Sequence, residues 1–291
     1  MSGQLYLLPC PISEAPALDA LPASTVETAR RIDHFLVEAA RTARATLKAM
    51  GHPKPIAELD IVEIGHDPAP ELISEWLQPV LDGADAAVLS ESGCPGVADP
   101  GAQIAARAHE LGIRVVPLTG PSSILLTLMA SGLDGQRFRF SGYLPKHDAE
   151  RRAAILAAEK ASRASETQLF IETPYRNTAL LDALLETLAP DTRLTVAIDV
   201  TGQNESIRTL TAAACKAIPK AMRTLPKLPT VFAFLAKPGK TAPRYAPECA
   251  GGKRAHTAPS SKPAVLNNRP KQAYKTHRPE GSPVKTPKGG R

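Results

Sequence analysis

A short segment rich in glycine and proline is the part of the chain best suited to hold a ligand. Residues 90–101, SESGCPGVADPG, contain three glycines and two prolines within twelve positions. Glycine lets the backbone approach a ligand closely or adopt positive φ, and proline stiffens the path between such points. A single Gly-Pro pair is typical of a tight turn, but this density favours a binding loop. Asp99 is placed to cap a following helix, with Pro100 in its first turn.

Two other segments place polar residues directly after an apolar run. Residues 119–124, TGPSSI, follow the run VVPL, and their hydroxyls and backbone amides suit a carboxylate or a phosphate. Residues 171–177, IETPYRN, repeat the arrangement further along the chain. Because ligands of open α/β sheets bind beyond the carboxyl ends of strands, the three segments are predicted to converge on one cleft. The phosphate-loop and dinucleotide fingerprints are missing, which disfavours ordinary nucleoside triphosphate and dinucleotide sites.

The apolar pattern around these segments is typical of α/β architecture. Short runs of Val, Ile and Leu alternate with longer amphipathic stretches up to about residue 236. Strands are predicted at 5–8, 34–37, 86–89, 114–118, 138–141, 168–172, 194–200 and 230–235. Helices are predicted at 70–81, 99–111, 123–131, 149–159, 174–188 and 211–222.

The pattern breaks at Thr119-Gly120-Pro121, where a strongly apolar run meets residues that cannot continue a strand. We therefore expect an α/β lobe of residues 1–119 and a second α/β lobe of residues 120–236. Each lobe has an ordinary domain size. Residues 237–291 form a separate tail.

The tail holds the basic character of the chain. Residues 237–291 contain 13 Lys or Arg and only two acidic residues, a net charge of +11, whereas residues 1–236 carry −5. Pro, Lys, Arg, Ser, Thr and Gly dominate the tail, so it cannot bury enough surface to offset its ordering entropy and is predicted to be disordered. It is either an electrostatic arm that increases encounter with nucleic acid or a solubilising segment.

Composition excludes several classes of protein. Aromatic residues make up only 4% of the chain, which disfavours aromatic platforms for bases. No window approaches the roughly 18 to 20 apolar residues of a membrane span, and the start lacks a charged segment before an apolar one, so a cytoplasmic protein without a membrane segment is expected. The four cysteines have neither CxxC spacing nor nearby histidines. They are interpreted as reduced thiols, and no metal site is indicated.

Read together, the segments resemble the tetrapyrrole methylase superfamily, in particular its ribosomal RNA small subunit methyltransferase I branch. The matching strings, in the family's order, are LYLLPCPI, SESGCPGVADPG, VVPLTGPSSI, ASGL, GYLPK and ETPYRN. The similarity covers roughly residues 4–236 and leaves out the tail. It implies two α/β lobes with S-adenosylmethionine folded into the cleft between them, and a homodimer.

The resemblance also implies which residues meet the cofactor. The contacts would come from the first strand end, the long loop and the 119–124 segment, and from three strand ends of the second lobe. The implied cofactor contacts are Pro9, Glu91, Gly93, Cys94, Pro95, Ser122, Ser123, Ile124, Glu172, Tyr175, Ile198 and Thr230.

Two departures from the family pattern concern the methyl acceptor. Tetrapyrrole methylases resemble one another in a glycine-rich, acidic first loop, whereas residues 9–14 are PCPISE, which disfavours a porphyrin-type substrate. The RNA-modifying branch carries an AEDTR-like stretch, and VEAAR at 37–41 keeps its glutamate and arginine but lacks its aspartate and threonine. The leading prediction is 2′-O-methylation of ribosomal RNA. The alternatives are a small, tetrapyrrole-like acceptor and a noncatalytic module that binds S-adenosylmethionine.

Two carboxylates in the matched segments are candidates for a general base. Glu38 or Glu172 could remove the proton of a ribose hydroxyl. Each could equally be the structural partner of Arg41 or Arg176. The ion pair is favoured, because most carboxylates near arginines serve electrostatics.

Two histidines are weaker candidates. His34 lies inside an apolar strand pattern and is interpreted as a core residue with satisfied hydrogen bonds. His66 precedes Asp67-Pro68, a turn-like sequence.

Overall fold

Two five-stranded sheets organise the chain in a computed structural model that describes residues 2–65 and 67–238. The first sheet contains β1 (Gln4–Leu8), β2 (His34–Val37), β3 (Asp60–Glu63), β4 (Ala86–Leu89) and β5 (Arg114–Pro117). Its strand order is β3-β2-β4-β1-β5, and every neighbouring pair is parallel. The carboxyl ends of all five strands therefore meet at one edge.

The second sheet is mixed. It contains β6 (Phe138–Tyr143), β7 (Thr167–Glu172), β8 (Arg193–Ile198), β9 (Ser206–Thr211) and β10 (Thr230–Leu235). Its order is β6-β7-β10-β8-β9, in which only the β6–β7 pair is parallel. The end of β7 therefore lies beside the start of β10, where Glu172 pairs with Thr230. The carboxyl end of β6 lies at the same edge, because Tyr143 pairs with Ile171.

Helices pack on both sheets. Their bounds are α1 (Ala17–Ala20), α2 (Ala23–Ala29), α3 (Ala40–Ala49), α4 (Pro70–Trp76), α5 (Gln78–Leu81), α6 (Gly101–Glu110), α7 (Ser123–Ser131), α8 (Asp148–Ser162), α9 (Asn177–Thr187) and α10 (Ala212–Ala217). Two 3₁₀ turns lie at Ile56–Glu58 and Lys220–Arg223.

The central strands are the most apolar because both of their faces are covered. β2, β4 and β10 are buried at every position, as expected of strands with core on both sides. Separate apolar clusters line the two faces of each sheet, for example one around Phe35 and Leu47 and another around Phe170 and Phe232. These cores hold the strand ends, and therefore the loops after them, in fixed positions.

The predicted α/β class is confirmed, and each predicted strand is present within two residues of its expected bounds. The prediction missed β3 and β9, which are edge strands with exposed polar positions, and the short or alanine-rich helices α1, α2 and α3. The prediction of one helix at 70–81 was wrong, because the structure has two helices, α4 and α5, separated at Leu77. The break occurs because Pro79 has no N–H to donate to the preceding turn. The expected helix 211–222 ends at Ala217, two residues before Pro219.

The lobe boundary at 119–120 stays a prediction. His66 lies outside the described residues, and so does the predicted tail apart from Lys237 and Pro238.

Candidate functional site

Three loops at the carboxyl edge of the first sheet are tied to one another. Cys10, after β1, exchanges two backbone hydrogen bonds with Gly93 of the long loop, at N···O distances of 2.9 and 3.2 Å. The Cys10 thiol donates to the Ser90 carbonyl at 3.1 Å. The Cys94 thiol donates to the carbonyl of Pro121 in the loop after β5, at 3.4 Å. The loops therefore form one block rather than three independent segments.

Gly120, after β5, packs tightly against Pro9, after β1. A Cβ placed on Gly120 would lie 2.2 Å from Cβ of the buried Pro9. We expect Gly120→Ala to lower the free energy of unfolding by about 2 kcal/mol, because a rigid ring must move to make room. Urea denaturation measures the loss. Gly135→Ala is the matched control, since its Cβ would meet nothing within 4 Å, and an equal loss in both variants would contradict the packing argument.

The long loop is shaped by Asp99. Its Oδ1 accepts hydrogen bonds from the amides of Gly96 and Gly101, at 2.8 and 2.7 Å. Helix α6 starts at Gly101 with Pro100 as its N-cap residue, so Asp99 caps the first helical amide as expected but lies one residue earlier than a standard cap. Burial raises the pKa of the Asp99 carboxyl, and the two amide donors oppose that rise. Ala98, just before it, has φ of 63°.

Helix α7 presents its start to the same region. Ser122 is its N-cap, and its hydroxyl accepts from the Leu125 amide at 3.4 Å. The first residues of the helix are Ser123 and Ile124, whose backbone amides belong to the unsatisfied first turn. An anionic group next to them would be stabilised by the helix terminus.

The second sheet contributes a buried ion pair. The Glu172 side chain, 2% exposed, receives hydrogen bonds from Arg176 on both oxygens, at 2.6 to 3.0 Å. Its Oε1 also accepts from the amide and hydroxyl of Thr173, at 2.6 and 3.2 Å. The predicted pairing of Glu172 with Arg176 is present, and the carboxylate is extensively hydrogen-bonded.

These elements enclose a cavity of about 350 Å³, which we call the strand-end cavity. Each of the three segments singled out in the sequence contributes to it, so their predicted convergence is observed. The predicted site residues that line it are Glu38, Glu91, Ser123, Ile124, Glu172 and Thr230. A hydrogen bond from the Glu91 amide to Glu38 Oε2, at 3.1 Å, joins the loops after β4 and β2 beside it.

The other predicted cofactor contacts do not line this cavity. Pro9, Gly93 and Pro95 are buried within the loop block, the Cys94 thiol donates to the Pro121 carbonyl, and Ser122 caps α7. The Tyr175 ring is 80% exposed, with the Lys227 ammonium 5.3 Å from its centroid. Ile198 lines a separate cavity of about 210 Å³ between β8, β9 and α10.

The apolar wall of the strand-end cavity was not foreseen from the sequence. Six of its apolar side chains were not among the predicted ligand contacts: Ile12, Phe140, Tyr143, Ile171, Val200 and Val231. The alternation of Phe138 and Phe140 along β6 was the one available signal, and it predicts a strand without indicating a ligand.

A second and larger cavity adjoins the first. This loop cavity, of about 660 Å³, lies between the segment after β1 and the segment after β8. Its lining residues are Pro11, Ile12, Ser13, Glu14, Ala15, Pro16, Glu91, Ser92, Asp199, Thr201, Gly202, Gln203, Asn204, Leu228 and Pro229. The Ser13 and Thr201 hydroxyls lie 3.1 Å apart and connect its two sides.

The Cys10 thiol should be nearly inert at neutral pH. Burial raises its pKa from 9.0 to about 12, with the nearby Asp99 and Glu38 carboxylates adding to the rise. Thiolate forms only as pH rises toward that value, so iodoacetamide at pH 8 should alkylate Cys10 about a thousandfold more slowly than an ordinary thiol. Peptide mass spectrometry of native protein, with denatured protein as control, measures the rate. Equal rates in the two states would contradict the burial of this thiol.

Other groups predicted from the sequence have structural partners. His34 is buried, with Nδ1 2.6 Å from Asp60 Oδ2 and Nε2 2.9 Å from the Trp76 carbonyl oxygen, as expected of a satisfied core histidine. Cys10, Cys94 and Cys215 are free thiols. Among the described residues no cluster of His, Cys, Asp and Glu could hold a metal ion, and no helix is long and apolar enough to cross a membrane.

The fold and the two cavities define a class: an α/β protein with a candidate small-ligand cavity between the strand ends of two sheets. The family of Tetrapyrrole (Corrin/Porphyrin) Methylases matches residues 17–215. The chain belongs to the tetrapyrrole methylase family, near its ribosomal RNA small subunit methyltransferase I branch, which confirms the resemblance noted in the sequence.

Curated relatives support this placement. The chain is similar to proteins named ribosomal RNA small subunit methyltransferase I from Mesorhizobium japonicum (33% identity; 72% of this chain, 68% of the relative), Vibrio cholerae serotype O1 (30%; 70% and 67%) and Neisseria meningitidis serogroup B (29%; 69% and 65%). The similarity thus spans about two thirds of these relatives' length.

Solved structures share the fold. The chain is similar to a diphthine synthase (17% identity, TM-score 0.57, covering 80% of this chain and 90% of that one). It is also similar to the methyltransferase CobJ (16% identity, TM-score 0.55, covering 81% and 95%).

Proposed function

We propose that this chain is an S-adenosylmethionine-dependent methyltransferase that modifies ribosomal RNA at a ribose 2′ oxygen. The observation that carries the proposal is the strand-end cavity, which joins the three family-matched segments in a chain that belongs to a methylase family. The names of the relatives at 29–33% identity support ribosomal RNA as the acceptor.

The lining of the strand-end cavity fits the donor. S-adenosylmethionine carries a sulfonium and an ammonium, a carboxylate and an adenosine. Glu38, Glu91 and Asp99 supply negative charge for the cations, and the start of α7 supplies amides for the carboxylate. The apolar side chains of Ile12 and Phe140 supply a surface for the adenine.

When bound, the donor supplies an activated methyl group for an in-line displacement. The chain must hold acceptor and methyl at about 3 to 3.5 Å and exclude water from between them. The ties among Cys10, Gly93, Cys94 and Pro121 make the loop block rigid enough to do so. Positioning is therefore the main catalytic contribution of this chain.

The two candidate bases differ in their surroundings. Glu172 is surrounded by donors from Arg176 and Thr173, which supports its structural interpretation. Glu38, half-buried at the end of β2, lines the cavity beside Glu91 and is the carboxylate we propose as the base. The remaining sequence-derived contacts, from Pro9 to Ile198, stay predictions.

Calorimetry with the full chain and S-adenosylmethionine tests the donor, and absence of binding would contradict the proposal at its first step. Labelled donor incubated with ribosomal RNA from cells lacking the gene tests the acceptor. If the donor binds but no label enters RNA, the acceptor assignment fails. Label in small metabolites would then identify the alternative acceptor, and no turnover at all would identify a binding module.

We extend the proposal to the remaining partners. A chain without residues 240–291 should bind the donor normally and methylate RNA less efficiently if the tail is an electrostatic arm. A homodimer would cover exposed apolar side chains such as Met129 and Tyr143, which are 77% and 57% exposed, and analytical ultracentrifugation tests it. Cytoplasmic location fits this substrate.

A further inference from the structure

The loop cavity adjoins the proposed donor site but shares few of its lining residues. Ile12, Glu91, Ser92 and Pro229 line both cavities. Of the predicted cofactor contacts, only Glu91 lines the loop cavity. The loop cavity is also the larger, at about 660 Å³ against about 350 Å³. A second ligand in it would lie directly beside a donor in the strand-end cavity.

The lining of the loop cavity selects by charge. It includes the exposed carboxylates of Glu14 and Glu91 and the amide side chains of Gln203 and Asn204, with the buried Asp199 behind them. The described residues that line it include no lysine, arginine or histidine. Phosphate and carboxylate groups are repelled by such a surface, whereas neutral groups rich in N–H and O–H donors find acceptors there.

The segment after β8 is held in a fixed shape. The Asp199 side chain is buried, its Oδ2 accepts from the Asn204 amide at 2.9 Å, and its carbonyl accepts from the Gly202 amide at 2.7 Å. Asp199 and Thr201 both have positive φ, at 48° and 66°, a costly conformation for residues other than glycine. A Cβ on Gly202 would lie 2.1 Å from Asp199 Oδ1. The amide side chains at 203 and 204 are therefore presented from a preformed turn.

We propose that the loop cavity is the acceptor subsite and that it takes the base and ribose of a ribonucleoside, with the flanking phosphates outside. This inference rests on the proposed function. Carboxylates accept hydrogen bonds from the edges of nucleobases, and amide side chains both accept and donate them. With the base at these groups, the ribose lies toward Ile12 and Ser92, which line both cavities. The same acidic lining disfavours metabolites that carry carboxylate groups. The cavity thus favours a nucleoside over a tetrapyrrole-like acceptor that carries carboxylates.

The test uses the full chain, with the substitutions Gln203→Ala and Asn204→Ala combined in one variant and Glu14→Gln in another. All three residues are exposed. The KM for ribosomal RNA from cells lacking the gene should rise about tenfold, the loss expected for one or two hydrogen bonds. The dissociation constant for S-adenosylmethionine should stay within about twofold. Gln136→Ala and Glu71→Gln, exposed and outside both cavities, are the matched controls.

A second measurement addresses charge. A mixture of the four ribonucleosides should inhibit RNA methylation more strongly than the same concentration of their 5′-monophosphates. Equal or stronger inhibition by the monophosphates would overturn the inference.

The outcomes separate the inference from the proposed function. If the wild type binds no donor, or binds it without methylating RNA, both fail. If the wild type is active but the variants keep their KM, the acceptor subsite alone is overturned. If the variants weaken donor binding and leave the KM unchanged, the loop cavity belongs to the donor, and the inference is likewise overturned.

Discussion

Replacing Arg176 with methionine is expected to lower the free energy of unfolding by about 3 kcal/mol. Methionine removes the guanidinium that donates to both oxygens of Glu172. The carboxylate, 2% exposed, then keeps only the two donors of Thr173. A buried charge with too few partners is the costly product of breaking such a pair. Urea denaturation monitored by circular dichroism measures the loss.

The two members of this pair should not be equivalent. Arg176 is 32% exposed and can turn toward water when its partner is neutralised. Glu172→Gln should therefore cost only about 1 kcal/mol, the net value of a typical hydrogen bond. Combining Glu172→Gln with Arg176→Met should recover part of the loss seen for Arg176→Met alone, because no unpaired charge remains.

The same variants separate a structural role from a catalytic one. If Glu172 only anchors the end of β7, the double variant should regain kcat together with its stability. A kcat that stays at least a hundredfold low in every variant lacking Glu172, despite recovered stability, would make Glu172 the base instead of Glu38. Stability of Arg176→Met equal to that of the wild type would contradict the ion-pair argument itself.

The sequence predicted the centre of each sheet better than its edges, for a physical reason. β2, β4 and β10 are buried on both faces, so their composition is uniformly apolar and their bounds were predicted correctly. β3 and β9 pair on one side only, and exposed charged positions such as Asp60 and Arg208 dilute the apolar pattern. Helix α3 was missed because its buried face is mostly alanine.

The candidate site was predictable where it is built from loops with unusual composition. The segments around Gly93, Ser123 and Glu172 stand out by their glycine, proline and hydroxyl content, and all three reach the strand-end cavity. The loop cavity had no such signal. Its turn depends on positive φ at Asp199 and Thr201, which are not glycines, and on the distant Ser13 reaching Thr201. Contacts of that kind follow from the packing of the two sheets and leave no local pattern.

Substituting Ile124 with tryptophan is expected to weaken binding of S-adenosylmethionine at least a hundredfold while leaving the fold in place. Ile124 is the second residue of α7; it lines the strand-end cavity and packs against the apolar cluster that contains Ile12 and Leu128. A bulky ring at this position occupies part of a cavity of only about 350 Å³. Overpacking should cost about 1 to 3 kcal/mol of stability, which most domains tolerate. Calorimetry measures the dissociation constant.

The neighbouring residue provides the matched control. Leu125 follows on the same helix, is 50% exposed and lines neither cavity, so Leu125→Trp adds the same ring without entering the site. Ile124→Ala, which removes volume, should change the donor affinity only a few-fold, because the donor loses one apolar contact and gains space. If Ile124→Trp binds the donor as tightly as Leu125→Trp does, the donor does not occupy the strand-end cavity, and the block of loops around it serves another ligand.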